Sequence, residues 1–199
     1  MNILICGDSF AADWTVKHPN QAGWPNLVAK EHNVTNLAQA GVGEYKILQQ
    51  VKSANLKKFD AIIIAHTSPN RVHCVRHPIH YNDVLHKNAD LIYKDVAYHQ
   101  EDPNAAIAVK YFEQYFDLDY YNDIANLICL DILNILGDYP HLNQFHMENY
   151  TEQSKYPVLP SFNLNPFFIK HHGLMNHFDD VGNKKIFDVV KDWLNNLGV

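Results

Sequence analysis

The chain has 199 residues, of which 47% are hydrophobic and 19% charged, a balance that is ordinary for a globular protein and excludes a disordered chain or a fibre. This length predicts a single domain over residues 1–199, with an inserted loop or helical segment at about 67–136. The 16 basic and 22 acidic side chains give a formal net charge of −6. Because no basic block stands out, we expect neither a nucleic-acid partner nor a membrane partner.

Cysteine usage and the first residues bear on the compartment. The three cysteines, Cys6, Cys74 and Cys129, are odd in number and share no close spacing, so they predict neither a disulfide framework nor a cysteine-based zinc site. Residues 1–6 are too short for the core of a signal peptide and resemble a strand instead. No apolar run approaches the ~20 residues that span a bilayer. The chain is therefore expected to be cytoplasmic.

The first 65 residues alternate between strand-like and helix-like patterns. They predict strand, helix, strand, helix and strand at residues 2–6, 21–32, 33–38, 44–56 and 59–65. The last segment contains three consecutive isoleucines, which are typical of a parallel strand buried on both faces. This alternation predicts an α/β protein, a three-layer α/β/α sandwich with a central parallel sheet.

The remainder of the chain is less regular. Residues 67–103 are polar and rich in His and Asn, which predicts a long loop or a partly helical insertion. Residues 104–137 predict a long helical region whose apolar second half is buried. We expect a fourth strand at 141–147, irregular structure at 156–165 because prolines are nearby, and an amphipathic helix at 179–197.

Ser9 is the first candidate for chemistry. It stands in Gly7-Asp8-Ser9, directly after the first predicted strand, at the edge of a parallel sheet where ligands usually bind. A serine in a tight strand-to-helix turn presents its hydroxyl outward, and a glycine before it lets the backbone turn without a clash. Such a serine is a nucleophile if a base reaches it. Otherwise it is simply a helix cap.

His177 is the candidate base. It lies in a loop just before the last predicted helix, where it could face Ser9 across the carboxyl edge of the sheet. A neutral imidazole there would take the hydroxyl proton and later return it.

These positions resemble the SGNH or GDSL hydrolase superfamily, whose members carry Gly-Asp-Ser after the first strand, a glycine after the second and a histidine before the final helix. Ser9 matches the nucleophile, Gly41 the second-block glycine, and His177 with Gly182 the last block. The resemblance implies a flavodoxin-like SGNH-type fold and an oxyanion hole made by the amides of Ser9 and Gly41 together with an asparagine side chain. It implies no cofactor.

The chain departs from the family pattern at two places. The Gly-x-Asn-Asp block after the third strand is missing, so that either Ser68 or Asn70 would be the third oxyanion donor. Leu174 stands where the family has its triad acid, three residues before His177. We therefore expect a Ser–His dyad, with the imidazole oriented by a backbone carbonyl, by Asn176 or by an acid from elsewhere.

A second group of residues predicts different chemistry. Five histidines lie between residues 66 and 86, namely His66, His73, His77, His80 and His86, with Asp83 and Asp90 nearby. Imidazole is a common metal ligand, and His77 and His80 are spaced to share one ion. No carboxylate or cysteine completes a recognisable spacing, so a polar loop remains the simpler interpretation.

The sequence thus predicts a hydrolase of ester bonds, an esterase, lipase or carbohydrate O-acyl esterase. It would act through Ser9 and His177 on a small-molecule or glycan acyl ester, with transfer of the acyl group to another hydroxyl as a variant. The resemblance leans toward a small acyl group on a carbohydrate. Two alternatives stay open: a metal-dependent hydrolase built on residues 66–86, and a binding protein with this fold and no catalysis.

Overall fold

A computed structural model describes residues 1–145 and 161–198. Its centre is a five-stranded sheet in which every neighbouring pair is parallel, with the strand order β2-β1-β3-β4-β5. The strands are β1 (Asn2–Gly7), β2 (Asn33–Asn36), β3 (Ala61–Ala65), β4 (His141–Phe145) and β5 (Ser161–Asn163). The predicted α/β fold with a central parallel sheet is confirmed.

Helices cover both faces of this sheet. Within the described residues they are α1 (Trp24–Val28), α2 (Glu44–Ser53), α3 (Tyr93–Tyr98), α4 (Pro103–Tyr115), α5 (Leu118–Leu136), α6 (Asn165–Lys170) and α7 (Asp180–Asn196). A short strand, β6 (His172–Met175), lies outside the five-stranded sheet and precedes α7. No helix among the described residues is long and apolar enough to cross a bilayer.

Two hydrophobic cores lie on opposite faces of the sheet, because successive side chains of a strand point to opposite sides. Ile3 and Ile5 of β1 pack with Ile63 of β3 in the core that also holds apolar residues of α1 and α7. Leu4 and Ile64 face the other way, into the core shared with α2 and α5. The isoleucine run is fully buried, as a central parallel strand requires.

The structure differs from the sequence prediction in two segments, the helical region at 104–137 and the segment 156–165. The helical region at 104–137 is two helices, because the chain turns at Asp117 and the Asp117 side chain accepts hydrogen bonds from the amides of Asp119 and Tyr120. Residues 67–103 contain α3, which agrees with the partly helical insertion that was one of the two predictions for them. The prediction for the segment 156–165 is irregular structure, yet the segment includes strand β5. Its residues 156–160 lie outside the described residues, and so do residues 146 and 147 of the predicted fourth strand.

The strand order places a crevice at one edge of the sheet. From β1 the chain passes to β2 on one side, and it then returns to β3 on the other side. Gly7 at the end of β1 pairs with Ala65 at the end of β3, so the loops that leave these strands start side by side. A reversal of this kind, at the carboxyl ends of parallel strands, is where ligands bind in open α/β sheets.

Candidate active site

Ser9 lies in a single helical turn that follows β1. The amides of Ala11 and Ala12 both donate to the carbonyl of Asp8, but no continuous helix starts there, in contrast to the predicted strand-to-helix turn. Gly7 is required before this turn, since a Cβ at Gly7 would come 2.6 Å from both the Cβ and the carbonyl oxygen of Ala65. The turn therefore begins where the neighbouring strand β3 leaves no room for a side chain on β1.

The structure brings the two predicted residues together. The Nε2 atom of His177 lies 2.7 Å from the Oγ atom of Ser9, which is hydrogen-bond distance. Ser9 is buried and His177 is half-buried. The imidazole ring packs against Phe10, with 4.4 Å between ring centroids, and lies edge-on to Trp14 at 6.0 Å. These two aromatic rings restrict the orientations that the imidazole can take.

Asn176 fixes the position of the histidine loop, a role that was not predicted from the sequence. Its side-chain NH2 donates to the carbonyl of Ser9 at 3.1 Å and to the carbonyl of Ala12 at 2.8 Å. Asn176 and His177 both have left-handed backbone, with φ of 49° and 67°. Asn adopts this conformation more readily than most residues, which is a local signal that could have singled it out. The loop is thereby joined to the Ser9 turn by direct hydrogen bonds.

The orientation of His177 does not follow the family pattern. Leu174, at the position of the family acid, is 56% exposed and has no polar group to offer. Asn176, one of the expected alternatives, uses its NH2 group on Ser9 and Ala12, and its Oδ1 lies over Gly23. It therefore holds the loop backbone and does not orient the imidazole.

Two backbone amides are available as oxyanion donors. Within residues 1–145 and 161–198, neither the Ser9 amide nor the Gly41 amide donates a hydrogen bond to another protein group. Gly41 has a φ of 81°, and a Cβ there would come 2.7 Å from the Cβ of Ala89, so the position requires glycine. Its carbonyl accepts hydrogen bonds from Arg71 and from the amide of Asp90, which fix the Gly41–Val42 peptide, the one that follows the peptide carrying the Gly41 amide.

Ser68 and Asn70, the two alternatives for the third donor, follow β3 in the same loop. The Ser68 Oγ and the Asn70 Oδ1 are buried, and neither has a hydrogen-bond partner among the described residues. Both side chains line the same cavity, which has a volume of about 770 Å³. The alternatives stay open. The Ser68 hydroxyl can donate to an oxyanion, whereas Asn70 would have to donate through its side-chain NH2, because its unpartnered Oδ1 only accepts.

Arg71 links the loops after β2 and β3, a role that no local sequence pattern predicts. Its Nε donates to Thr67 Oγ1 at 3.1 Å, and its Nη1 donates to the Gly41 carbonyl at 3.0 Å. Asp8 is fully buried nearby, and its Oδ1 accepts from the amide of Phe10 at 2.9 Å. Burial raises the pKa of the Asp8 carboxyl, and the positive charge of Arg71 acts in the opposite direction. Arg71 thus joins the loops that hold Gly41 and Thr67, and its charge offsets the buried acid Asp8.

Glu44 and His66 form a buried pair beneath this loop. Glu44 Oε1 accepts from the amide of Thr67 at 2.6 Å, and Glu44 Oε2 lies 3.2 Å from His66 Nδ1. The other ring nitrogen lies 3.0 Å from Asn143 Oδ1. Burial alone would lower the pKa of His66, but Cys129 and Glu44 outweigh burial and raise it well above its usual value. An imidazolium that donates to Glu44 and Asn143 accounts for this arrangement, in which Glu44 anchors the start of the loop.

The histidine-rich segment does not form one cluster. His66 belongs to the buried pair above, His73 lies 3.2 Å from Asp90, and His86 lies 3.2 Å from Asp83. Among the described residues, His77 and His80 meet around the carboxylate of Asp95, and the His80 ring also lies beside the His86 ring, with 5.6 Å between their centroids.

The hydrogen bonds of His77 indicate a neutral imidazole that faces Asp95 as a donor, and they oppose a metal-binding role. Its Nδ1 accepts from the amides of Ile79 and His80, both at 3.2 Å, so the ring proton is on Nε2. That Nε2 faces Asp95 Oδ2 at 3.3 Å. A histidine that binds a metal through one nitrogen normally donates a proton from the other, which the amides of Ile79 and His80 oppose here.

Comparison with known proteins gives the fold. No family model matches the sequence, and no curated protein matches it. Among solved structures, a GDSL-like lipase from Bacteroides thetaiotaomicron VPI-5482 aligns with a TM-score of 0.52 and 9% identity, over 98% of this chain and 88% of that one. A protein from Bacteroides fragilis NCTC 9343 assigned as an acylhydrolase aligns with a TM-score of 0.50 and 8% identity, over 98% and 87%.

The chain therefore has the fold of the SGNH or GDSL-like hydrolases, as the sequence resemblance predicted. At 8–9% identity the likeness concerns the architecture alone.

Proposed function

We propose that the protein is a serine-dependent hydrolase of acyl esters that acts through Ser9 and His177. The observation that carries this proposal is the 2.7 Å contact between Ser9 Oγ and His177 Nε2 at the carboxyl edge of the sheet. A serine hydroxyl is a weak nucleophile until a positioned base takes its proton, and this contact supplies that base.

The reaction follows from the placement of these groups. Ser9 Oγ attacks the ester carbonyl while its proton passes to His177 Nε2. The oxyanion that forms accepts hydrogen bonds from the amides of Ser9 and Gly41 and from the side chain of Ser68 or Asn70. The intermediate collapses as His177 returns the proton to the leaving alcohol. Water then attacks the acyl-serine with His177 again as base, and Ser9 is regenerated. A second hydroxyl in place of water would give acyl transfer.

The experiment measures hydrolysis of p-nitrophenyl esters and labelling by a fluorophosphonate probe. Ser9→Ala and His177→Ala should each lower kcat/KM by at least about 1,000-fold, and labelling should be lost in both. Ser53→Ala and His32→Ala are matched controls, because Ser53 ends α2 and His32 precedes β2, at the opposite edge of the sheet. Both controls should keep the parental rate.

Each other result points to a specific alternative. Equal hydrolysis by the parent and by Ser9→Ala would refute the proposal, and an absence of both hydrolysis and labelling would favour a binding protein of this fold. Activity that is lost in EDTA and unaffected by Ser9→Ala would favour a metal-dependent hydrolase built on His77, His80 and Asp95.

A further inference from the structure

Glu44, His66 and Cys129 bring three kinds of metal ligand together beneath the loop after β3. His66 directly follows β3, Glu44 begins α2, and Cys129 lies in α5. The ligand atoms of the three side chains all lie within 4.8 Å of one another. Carboxylate, imidazole and thiolate are the side-chain groups that bind Zn²⁺ in proteins. No local spacing predicts this set, because its members come from three separate elements.

The distances between these ligand atoms are close to those around a tetrahedral zinc ion. Zinc ligands lie about 2.0–2.3 Å from the ion, so tetrahedral angles place a nitrogen and an oxygen ligand about 3.4 Å apart and a nitrogen and a sulfur ligand about 3.6 Å apart. His66 Nδ1 lies 3.2 Å from Glu44 Oε2 and 3.4 Å from Cys129 Sγ. Both distances are about 0.2 Å shorter than in the tetrahedral case, so an ion requires only a small outward movement of the side chains.

The other ring nitrogen of His66 has the partner that a metal-binding histidine needs. Its Nε2 lies 3.0 Å from the acceptor Asn143 Oδ1, so Nε2 donates a proton and Nδ1 is the nitrogen that faces the thiol and the carboxylate. Histidines that bind a metal normally donate their other N–H to an oxygen in this way. His77 has the opposite arrangement, since its Nδ1 accepts from two backbone amides. The same criterion therefore favours a metal at His66 and opposes one at His77.

Burial and charge indicate what kind of metal site this is. Glu44, His66 and Cys129 are 5%, 1% and 6% exposed, so a substrate does not reach an ion between them, and the site is structural. A carboxylate and a thiolate together carry two negative charges, which a divalent cation neutralises, as buried charges require. A cavity of about 70 Å³, with Glu44 in its lining, has room for a water molecule as the fourth ligand.

We propose that Glu44, His66 and Cys129 bind one structural zinc ion. This inference does not depend on the proposed esterase function. In the metal-free chain His66 is an imidazolium and Cys129 a thiol, and zinc binding releases one proton from each to the solvent as the bonds to the ion form. Glu44 Oε1 accepts from the Thr67 amide, so the ion fixes the start of the loop after β3 through Glu44.

The test is the zinc content of the purified chain, measured by mass spectrometry after incubation with zinc chloride and passage over a chelating resin. We expect about one zinc ion per chain in the parent and none in Cys129→Ala. Cys6→Ala is the matched control, because Cys6 is also a buried cysteine and packs in the core shared with α2 and α5. It should retain zinc, and so should His80→Ala, which alters the other histidine cluster. Asn143→Ala should weaken zinc binding by about 10–100-fold.

Cobalt binding tests the site without a change to any ligand, so it decides the proposal even if Cys129→Ala does not fold. In the double variant Cys6→Ala, Cys74→Ala the one remaining cysteine is Cys129, and a thiolate-to-cobalt charge-transfer band in the near ultraviolet must come from it. We expect this band, together with the intense visible bands of tetrahedral Co²⁺, and zinc should abolish both.

Three results would overturn the proposal. The first is a parent chain that loses its zinc to the resin. The second is a double variant that binds cobalt without the charge-transfer band, or that binds none. The third is zinc that is retained by Cys129→Ala and lost in His80→Ala, which would place the ion at His77, His80 and Asp95 instead.

Discussion

Asn176 offers the sharpest test of how the Ser9–His177 contact is maintained. Replacement of Asn176 by Ala removes two buried hydrogen bonds, to the carbonyls of Ser9 and Ala12. The Ser9 carbonyl keeps a donor, the Trp14 Nε1 at 3.0 Å, but the Ala12 carbonyl loses the donor that Asn176 provides.

The expected loss of stability follows from these contacts. A buried acceptor left without its donor costs about 1–3 kcal/mol, and the second hydrogen bond contributes about 1 kcal/mol more. Alanine at a φ of 49° adds about 1 kcal/mol of backbone strain. We expect Asn176→Ala to lower the free energy of unfolding by about 4 kcal/mol. Asn176→Gly tolerates the left-handed backbone and should lose roughly 0.5–1 kcal/mol less.

The assay combines urea unfolding with the rate of fluorophosphonate labelling at Ser9, both measured where each variant is folded by circular dichroism. A displacement of the His177 loop by about 1 Å should slow labelling by about 100-fold. An ordinary surface substitution changes the free energy of unfolding by about 0.5 kcal/mol or less. If Asn176→Ala changes it by no more than this and Ser9 is labelled at the parental rate, the role given to Asn176 is wrong.

Two further substitutions test other parts of the structure. Gly23→Ala should slow labelling of Ser9 by at least about tenfold, because the new Cβ would come 1.6 Å from Asn176 Oδ1 and displace that side chain. The φ of −78° at Gly23 suits alanine, so the backbone itself is not strained. An unchanged labelling rate would contradict this packing of Gly23 against Asn176. In Asp95, burial alone would raise the pKa, but hydrogen bonds from His77 and His80 outweigh it and lower the pKa to about 2. Because the folded pKa lies below the usual 3.8, this carboxylate stabilises the protein above pH 4 by at most about 2 kcal/mol, and the contribution is lost as the pH falls toward 2. Urea unfolding should therefore show Asp95→Asn destabilised at pH 7 and roughly half as much at pH 3, and a difference that does not shrink with pH would rule out this source of stability.

The elements with strong local patterns were predicted well from the sequence. The isoleucine run of β3 and the turn at Gly7 carry their own signals, which are a continuous apolar stretch and a strand followed by a small residue. Strand β5 has three residues and proline neighbours, so its own residues do not predict a strand. Its pairing with β4 makes it one, and this tertiary contact cannot be read from local β-propensity.

The candidate site divides in the same way. Ser9 and His177 were found because each stands beside a recognisable element, and the structure places them in contact, while their catalytic roles stay a prediction. Arg71 and Glu44 were not predicted, because the contacts concerned join segments that are 22 or more residues apart in sequence. No local sequence pattern indicates a contact of that kind. The choice between Ser68 and Asn70 stays open for a related reason, since both lie in one loop and line one cavity.

The distance along the chain between Ser9 and His177 has a consequence for biosynthesis. The hydroxyl is made among the first ten residues, whereas the imidazole is added 168 residues later. If Ser9 and His177 act as proposed, a ribosome-bound chain carries the proposed nucleophile long before it carries the proposed base, and we expect it not to react at that stage. Reactivity at Ser9 would report that translation and C-terminal docking are both complete, so a pulse of fluorophosphonate would time the maturation of each newly made molecule.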